Sequence, residues 1–337
     1  MCHAHPLFSK GSFHTLKRKI GTVAADGSAE FRTLTEAAAA QQPGMPVQFL
    51  LGPGLYRERP FLELADYVMT GAGKDKTIIS AGVGGRDPWP GEEKTGTFRR
   101  QTLFLGGQNA RVEHLTVENT AGDGARVGQA VAVYADAARV CMEDVELVGN
   151  QDTLFTSPLP LQVREKNGFR GPRENTPRLD TRQYYRDCVI HGNIDFIFGG
   201  ANAVFDHCRI VPVAHESGVS YITAASTPEG KPGYLFAHCT VAGNCPEGSV
   251  FLGRPWRAYA RVFWLDCTFS AEIAPAGWDN WNNPANETTS SFGEAGSRGP
   301  GAPQTDAGRS FGSVDDPAAT ARMRRMLEEF RVEFASQ

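Results

Sequence analysis

The sequence predicts an all-β fold in which short strands stack as the coils of a solenoid. Short alternating segments recur along the chain, its 37 glycines suit many tight turns, and only two segments have a helical pattern. Repeats of a few tens of residues without long helices are typical of solenoids, in which each unit contacts only its neighbours. Stacked coils bring equivalent side chains above one another at about 4.8 Å.

Recurring cysteines mark the expected coils. The segments "VEHLTVENT" and "MEDVELVGN" match at a spacing of 30 residues, and later repeats carry a cysteine near the start of the strand. These cysteines are Cys188, Cys208, Cys239 and Cys267, at spacings of 20, 31 and 28 residues. Stacking predicts an interior ladder in which cysteine serves as a small buried hydrophobe. A Cys188–Cys208 disulfide remains sterically conceivable.

Two segments predict helices near the ends of the chain. Residues 31–41, "FRTLTEAAAAQ", are expected to form a short helix that caps the first coil. Residues 316–335 have a helical period and are expected to pack back along the coils. The apolar side of that second helix consists of Met323, Leu327, Phe330 and Phe334.

Two long segments lack a regular pattern. Residues 280–310 are rich in Gly, Pro, Ser and Asn, which predicts a long loop, and residues 157–182 form a second irregular stretch. Neither segment has the character of a linker between domains. Residues 21–337 are therefore interpreted as a single domain that follows an N-terminal extension, residues 1–20.

The composition, with 41% hydrophobic and 21% charged residues, is that of a globular protein. A net charge of −4 argues against a nucleic-acid partner, and no run of apolar residues is long enough to span a membrane. Residues 1–20 contain no continuous apolar stretch like that of a secretory signal, and the cysteine count, seven, is odd. We therefore expect a cytoplasmic location, or a secreted one if a leader has been removed; the oligomeric state is left open.

Metal and serine chemistries have weak support in the sequence. No C-x-x-C or H-E-x-x-H motif occurs, and the "HAH" at 3–5 has no catalytic context. His207 and His238 precede ladder cysteines at equivalent positions, so they are expected to face solvent. The only G-x-S-x-G match, "GRSFG" at 308–312, lacks the preceding strand that this motif requires. No metal and no cofactor is predicted.

Two aspartates stand directly beside apolar runs. Asp152 lies in "VGNQDTLF" and Asp195 in "GNIDFIFGGANAVF", 43 residues further along the chain. A carboxylate in such a place needs a partner, because burying an isolated charge costs several kcal/mol. In a β-coil the alternating residues can bury Leu154 and Ile197 while the acids point into an open cleft.

Other polar groups belong to the same part of the sequence. Gln129 is expected at the head of the alternating strand "GQAVAVYADA", Gln151 precedes the first aspartate, and "FLGRPWRAY" carries Arg254 and Trp256 at a strand end. Each has an ordinary structural explanation by itself: a strand-end amide, a turn, or an Arg–Trp packing pair. Together they supply two carboxylates, two amides, a guanidinium and an aromatic ring.

These groups suit acyl transfer without a serine. One carboxylate attacks an ester carbonyl and forms an acyl-enzyme anhydride, which water later cleaves. The second carboxyl group gives a proton to the leaving alkoxide and then takes one from the water. Glutamine N–H groups stabilise the oxyanion, and an arginine keeps the attacking carboxylate ionised and oriented.

The ordered motifs resemble those of the pectin methylesterases (pectinesterases). "GLYRER", "GQAVAV", "NQDTLF", "DFIFGGANAVF" and "LGRPW" occur in the family's order. The resemblance extends from about Thr22 through "GWDNWN" to "GPGA" near residue 301, which is most of the chain. It implies a right-handed parallel β-helix, in agreement with the repeat pattern.

The resemblance also implies roles for individual residues. Asp195 would be the nucleophile and Asp152 the general acid and then base. Gln151 and Gln129 would form the oxyanion site, and Arg254 would hold the nucleophile. Substrate-binding positions implied in the same way are Trp256, Phe198 and, across a less similar loop, Thr97. The implied substrate is a methyl-esterified galacturonan or oligogalacturonide.

The irregular segment 157–182 is longer than its counterpart in plant members of the family and is expected at the cleft rim. The segment contains five cations, which are either ordinary solvated loop charges or a group that attracts galacturonate carboxylates. They are Arg164, Lys166, Arg170, Arg173 and Arg178. The absence of a recognisable signal in residues 1–20 favours a cytoplasmic enzyme that acts on short imported oligogalacturonides.

Three alternative functions have less support in the sequence than esterase activity on pectin. A carbohydrate-binding β-helix without turnover is disfavoured because all five polar candidates are present. Another carboxyl-ester or thioester hydrolase on the same scaffold is disfavoured because both aspartates and the Arg-Pro-Trp motif are retained. A lyase or glycosidase would also use two acids, but paired glutamines favour an oxyanion mechanism.

Overall fold

The computed structural model describes residues 18–92, 96–303 and 309–335. The "HAH" motif and Gly308 of "GRSFG" lie outside these residues, and the location expected from residues 1–20 stays a prediction. The first strand begins at Lys19, two residues before the expected start of the domain. Among the described residues, no helix is long and apolar enough to cross a lipid bilayer.

The described residues form 24 strands and four short or medium helices. The first twelve strands are β1 (Lys19–Val23), β2 (Val47–Leu51), β3 (Gly54–Arg57), β4 (Phe61–Thr70), β5 (Thr77–Ala81), β6 (Leu103–Glu113), β7 (Thr116–Asn119), β8 (Val133–Ala135), β9 (Arg139–Glu143), β10 (Glu146–Val148), β11 (Leu154–Thr156) and β12 (Arg182–Arg186). The others are β13 (Val189–Gly192), β14 (Ile194–Gly199), β15 (Asn202–Asp206), β16 (Arg209–Pro212), β17 (Ser220–Ala225), β18 (Tyr234–Ala237), β19 (Thr240–Val241), β20 (Val250–Pro255), β21 (Arg261–Leu265), β22 (Thr268–Phe269), β23 (Ser291–Ala295) and β24 (Ser313–Val314). The helices are α1 (Leu34–Ala39), α2 (Gly124–Val127), α3 (Asn286–Thr289) and α4 (Pro317–Phe334), with a 3-10 turn at Thr97–Arg99.

The strands build a parallel β-helix with three faces. On the first face the order is β20-β17-β14-β11-β8 and then the beginning of β6; the end of β6 continues the second face through β9-β12-β15-β18-β21-β23. The third face is the separate sheet β22-β19-β16-β13-β10-β7-β5-β3. From β8 to β22, each coil contributes one strand to each face, so consecutive strands of a face come from consecutive coils. The predicted β-helix is confirmed.

The interior is filled by stacked side chains in register. The residues that follow the four ladder cysteines pair from coil to coil, and all four cysteines are buried with free thiols. The predicted interior ladder is therefore present, without a Cys188–Cys208 bond. Parallel to it, aromatic rings on β15, β18 and β21 stack with centroids 4.4 Å apart for Phe205–Phe236 and 4.0 Å for Phe236–Trp264.

Both predicted helices are present. The first is shorter than the expected 31–41 because its cap is at Thr33, whose hydroxyl accepts from the Glu36 backbone N–H while the Glu36 carboxylate accepts from the Thr33 N–H. The second, α4, packs on β18, β21 and β23, as expected. Its four predicted apolar residues are buried, and they are Met323, Leu327, Phe330 and Phe334.

The prediction of one long loop over residues 280–310 is wrong in its centre. Helix α3 and strand β23 lie inside this segment, and β23 pairs with β21 in the second face. The sequence of β23 lacks the usual alternation of apolar and polar residues, because one of its inward side chains is Glu294. This residue is fully buried and paired with Arg309. Phe292 supplies the apolar contact, stacking on Trp278 at 4.6 Å.

Candidate active site

One cavity on the first face contains every site residue predicted from the sequence. Its volume is about 380 Å³, within the usual range for small-molecule sites. The predicted residues that line it are Thr97, Gln129, Gln151, Asp152, Asp195, Phe198, Arg254 and Trp256. They come from the coils of β8, β11, β14 and β20 and from the 3-10 turn, so stacking of coils unites residues far apart in sequence.

The backbone turns both aspartates out of the regular strand pattern. Asp152 has φ 65° and Asp195 has φ 51°, a left-handed conformation that aspartate tolerates better than most residues. The register between β14 and β17 shifts between Ile194 and Ile197, so the strand is irregular over the interval that contains Asp195. Irregularities of this kind re-aim side chains next to functional sites. The neighbouring Ile197 stays in the core, fully buried.

Arg254 holds Asp195 by two parallel hydrogen bonds. Its Nε donates to Oδ1 and its Nη2 donates to Oδ2, both at 2.8 Å. Arg254 is on β20 and Asp195 on β14, with β17 between them. Ala224 occupies the register position of β17 between Phe198 and Arg254. Because the Ala224 side chain is small, the Arg254 side chain can extend over β17 to the Asp195 carboxylate.

The Arg254 guanidinium is itself fixed between two aromatic rings. Its Cζ lies 3.8 Å from the ring centroid of Tyr221 and 3.9 Å from that of Trp281. Contacts of this kind attract a cation and restrict its rotation. Trp281 has φ 58°, an unusual value for a bulky residue, and its backbone N–H donates to the Asp279 carboxylate at 2.7 Å. The loop after β22 is therefore shaped to bring this ring to the arginine.

The two glutamine side chains pack beside glycines that leave room for them. A Cβ on Gly124 would lie 2.3 Å from Gln151 Oε1, and one on Gly85 would lie 3.2 Å from Gln129 Oε1. Both glutamines line the cavity and are half-buried. The expected strand at Gln129 is wrong, because β8 begins only at Val133. Gln129 instead follows α2, in an irregular segment.

The two carboxyl groups have different electrostatic environments. Asp152 is 7% exposed and Asp195 is 8% exposed. Burial, followed by the charge of Asp195, raises the pKa of Asp152 well above its ordinary value. Burial also raises the pKa of Asp195, but the hydrogen bonds and charge of Arg254 oppose that rise. Asp152 consequently favours its protonated form in the range where Asp195 is ionised.

A row of stacked aromatic rings runs through the strands of the first face and reaches the cavity at Phe198. Rings in register on β6, β8, β11 and β14 follow one another with centroids 5.0, 4.6 and 4.9 Å apart; they are Phe104, Tyr134, Phe155 and Phe198. Trp256 meets Phe198 edge to face at 5.8 Å. Phe98, next to Thr97, packs on Phe155 at 4.9 Å.

The segment 157–182 lies at the cavity rim, as predicted, but most of its cations hold the segment in place. Arg173 pairs with Asp136 and with Glu63, the latter at 2.7 Å, and Arg170 pairs with Glu92 at 2.5 Å.

The other cations of the segment differ in their surroundings. Arg178 donates to four backbone carbonyls of the same segment. Neither alternative left open by the sequence, solvated loop charges or a group that attracts galacturonate carboxylates, describes Arg170, Arg173 and Arg178, which are half-buried and bound to other residues of the protein. Lys166 is exposed, and Arg164 lines the cavity.

Sequence reasoning missed several residues of the cavity. Trp281 stands in the "GWDNWN" stretch that contributed to the resemblance, but nothing marked it as a partner of Arg254. Tyr221 had no motif around it. Phe169, Arg257 and Phe98 also line the site. Arg257 and Trp281 stand within quoted motifs, but no segment by itself shows that they belong to the site, because these residues meet only through the stacking of coils and the folding of the loop.

Comparison with known proteins assigns a family. The Pectinesterase family model matches residues 21–165 and 169–313. Pectinesterase 31 from Arabidopsis thaliana is 30% identical over 297 residues, covering 83% of this chain and 82% of that protein. Several other curated relatives are longer, and the chain spans about half of their length: 46% of one that is 32% identical.

Solved structures give the same result. Pectin methylesterase PemA from Erwinia chrysanthemi and a pectin methylesterase in complex with hexasaccharide VII each have a TM-score of 0.72 and 25% identity. Both alignments cover 90% of this chain and 94% of the other. Since the family model spans most of the β-helix, together with the cavity residues described above, the chain belongs to the pectinesterase family.

Proposed function

We propose that this chain is a pectin methylesterase, which hydrolyses the methyl ester of galacturonate in pectin or an oligogalacturonide to a free carboxylate and methanol. The carrying observation is a pair of carboxyl groups in one cavity, of which only Asp195 is clamped by Arg254. Membership of the pectinesterase family supports the reaction. The hexasaccharide bound by a structural neighbour supports a saccharide chain as substrate.

In the proposed first step, a carboxylate oxygen of Asp195 attacks the carbonyl carbon of the ester. Asp152, protonated, gives its proton to the departing methoxide, which leaves as methanol. The product on the enzyme is an anhydride between Asp195 and the galacturonate carboxyl group. The side-chain N–H groups of Gln151 and Gln129 donate to the oxyanion that forms in between.

In the second step, Asp152 is ionised and takes a proton from water. The resulting hydroxide adds to the anhydride and breaks the bond to Asp195, which regains its carboxylate and its hydrogen bonds to Arg254. Asp152 ends the cycle protonated, so each group returns to its starting state. One water molecule is consumed for each methanol released.

The aromatic residues of the cavity suit a sugar ring. Trp256 and Phe198 form a corner with their rings at 62° to one another, which offers a flat apolar surface to the C–H face of a saccharide. Thr97 adds a hydroxyl to the lining of the same cavity. We infer that these three residues bind the galacturonate unit whose ester is cleaved.

The proposal is tested by methanol release from methyl-esterified pectin by the Asp195→Asn variant. An amide cannot form the anhydride, so methanol release is expected to fall to the uncatalysed level while circular dichroism and the thermal midpoint stay close to wild type. The matched control is Asp187→Asn, which changes an exposed aspartate with a similar φ of 53° at a turn away from the cavity. Full activity in the control is expected.

Two outcomes would contradict the proposal. Retention of substantial methanol release by Asp195→Asn would remove the assigned nucleophile. Binding of oligogalacturonide by the wild type without any methanol release would leave a carbohydrate-binding β-helix in place of an enzyme.

A further inference from the structure

A second cavity lies on the second face of the β-helix, beside the C-terminal helix. Its volume is about 260 Å³, and it lies between α4 and the beginnings of β12, β18, β21 and β23. We call this cavity the helix groove; its charged lining residues are Arg182, Arg261, Arg322, Arg325 and Glu329. None of the residues that line it also lines the candidate active-site cavity. Its charged groups are therefore available to a separate ligand.

The floor of the helix groove is apolar and partly aromatic. Four buried side chains from the interface between α4 and the second face line it; they are Phe263, Met323, Met326 and Phe330. Gly293 on β23 is in register with Phe263 on one side and Ser313 on the other. A Cβ on Gly293 would lie 2.8 Å from the Phe263 ring and 2.6 Å from Ser313 Oγ, so the missing side chain leaves space between helix and sheet. Apolar carbon bordered by guanidinium groups suits a ligand that has both C–H surface and negative charge.

The helix groove has a surplus of positive charge. Arg182 is paired with Glu333 at 2.7 Å. The other three arginines form no ion pair with an acid in the described parts of the chain, and they are Arg261, Arg322 and Arg325. Glu329 is the single carboxylate among the described lining residues, whereas two further arginines of α4, Arg324 and Arg331, are each paired with an aspartate. Planar guanidinium groups favour a carboxylate, which they bind through two oxygens, so the expected ligand carries carboxylates.

The helix groove begins close to the candidate active-site cavity. Arg257 lines the cavity, and Arg261, four positions later, lines the groove. An extended chain advances at most about 3.6 Å per residue, so the Cα atoms of these two arginines are no more than about 14 Å apart. Tyr259 lies between them, where the first face turns into the second, and is 43% exposed. A polymer bound in the cavity can therefore pass this ring and enter the groove.

We propose that the helix groove is a second binding site for an acidic galacturonan, which holds a distant stretch of the polymer while an ester is cleaved at Asp195. The identity of the ligand rests on the proposed esterase function, because each turnover of that reaction adds a free carboxylate to the polymer. A polymer held at one site has a high effective concentration at the other. Long chains that carry free carboxylates are therefore cleaved in preference to short ones.

The kinetic test compares partly methyl-esterified pectin with the methyl ester of digalacturonate, which is too short to occupy both sites. The double variant Arg322→Gln/Arg325→Gln is expected to lower the ratio of the two kcat/KM values, polymer over disaccharide, by about tenfold, the effect of losing one charge-assisted hydrogen bond. The control Arg209→Gln/Arg324→Gln removes the same two charges, one of them from α4, but neither residue lines the groove. The control should leave the ratio unchanged. An unchanged ratio in the groove variant, or an equal fall in the control, would overturn the inference.

A second readout locates the ligand without turnover. Met323 and Met326 line the groove, so the NMR signals of their labelled methyl groups report its occupation, with Met69 and Met142 of the core as references. Fully demethylated galacturonan is expected to shift the Met323 and Met326 signals in the wild type and in the control. The same addition should leave these signals in place in the groove variant.

The outcomes separate the second site from the proposed reaction. Groove methyl signals that do not move in the wild type would overturn the inference, as would equal shifts with polyglutamate, which would show a site for any acidic polymer. A wild type whose groove signals shift with galacturonan, but which releases no methanol from either ester, would reject the proposed function and support the second site.

Discussion

Arg254 and Asp195 form a two-point ion pair in which both N···O distances are 2.8 Å, although the residues are 59 positions apart in sequence. The Arg254 guanidinium also contacts the rings of Tyr221 and Trp281. These contacts fix the orientation in which its two N–H groups face the carboxylate. A carboxylate held in this way has a fixed orientation, and each of its oxygens keeps one lone pair that the guanidinium does not use. This relationship leads directly to the first prediction.

Replacement of Arg254 by lysine keeps the charge and removes the fork. We expect kcat/KM for methyl-esterified pectin to fall about 10- to 100-fold, the effect of losing one hydrogen bond to a charged group. The acidic limb of the pH profile should also move to higher pH. Burial raises the pKa of Asp195, and lysine would counteract this rise less than Arg254 does. The measurement is kcat/KM against pH, with exposed Arg209→Lys as control. An unchanged acidic limb would contradict the assigned role.

Asp152 is expected to act through its proton. Because burial and Asp195 raise its pKa well above the ordinary value, activity should persist towards neutral pH and decline as Asp152 loses its proton. Asp152→Asn should lower kcat by about 10²–10⁴ on methyl esters and remove this alkaline decline. The comparison is made on the acylation step, measured as the initial burst of product: with a nitrophenyl ester of galacturonate, whose leaving group needs no proton, the acylation rate should fall much less, because Asp152 acts as a base only in the later hydrolysis of the anhydride. Equal losses on the two esters would exclude the role of general acid.

Gly124 is predicted to position an oxyanion donor without touching substrate. A Cβ at this site would stand 2.3 Å from Gln151 Oε1, so Gly124→Ala must displace that amide. Losing one oxyanion donor costs about 10²–10³ in rate, and we expect a loss of kcat approaching that range with KM little changed. In the control Gly52→Ala, the new Cβ would stay 3.6 Å from the nearest atom, Val23 O. A rise of KM alone would contradict the prediction.

The C-terminal helix is predicted to be anchored by Arg331 and Asp206. Burial would raise the pKa of Asp206, but hydrogen bonds from Arg331 and Tyr184 outweigh it, so the folded pKa lies below the ordinary value. Arg331→Met should reduce the free energy of unfolding at neutral pH by about 1–3 kcal/mol. Since the folded pKa is depressed, this difference should shrink as the pH falls below about 3.9 towards it.

Urea unfolding at several pH values measures this effect. The matched control is Arg324→Met on the same helix, whose pair with Asp266 is at the surface and should contribute less than about 1 kcal/mol. Similar losses in both variants, or a loss at Arg331 that does not depend on pH, would contradict the assigned anchor.

The coils were predictable because their signal repeats. Each cysteine of the ladder stands at the same place in its repeat, and stacking places equivalent residues together whatever the loops between them do. Strand β23 was missed because its buried residue Glu294 reads as a surface residue in isolation. Its partner Arg309 is 15 positions away, beyond the strand itself.

The candidate site was predictable only where a motif carried it. Asp152 and Gln151 are adjacent in sequence, and Asp195 and Arg254 each lie in a segment with a recognisable pattern. Tyr221 carries no such pattern, and its contact with Arg254 arises because β17 lies beside β20. The contacts of Arg170 and Arg173 were equally hidden, since their acidic partners come from distant coils.

The stacking of one coil on another also orders the assembly of the reactive centre in time. As the chain emerges from the ribosome, Asp195 is made well before Arg254, and the coil that carries β14 is complete before β17 and β20 can dock on it. A nascent or truncated chain ending before β20 thus contains Asp195 without its clamp, Arg254. The clamp on Asp195 therefore forms only after the later coils have docked.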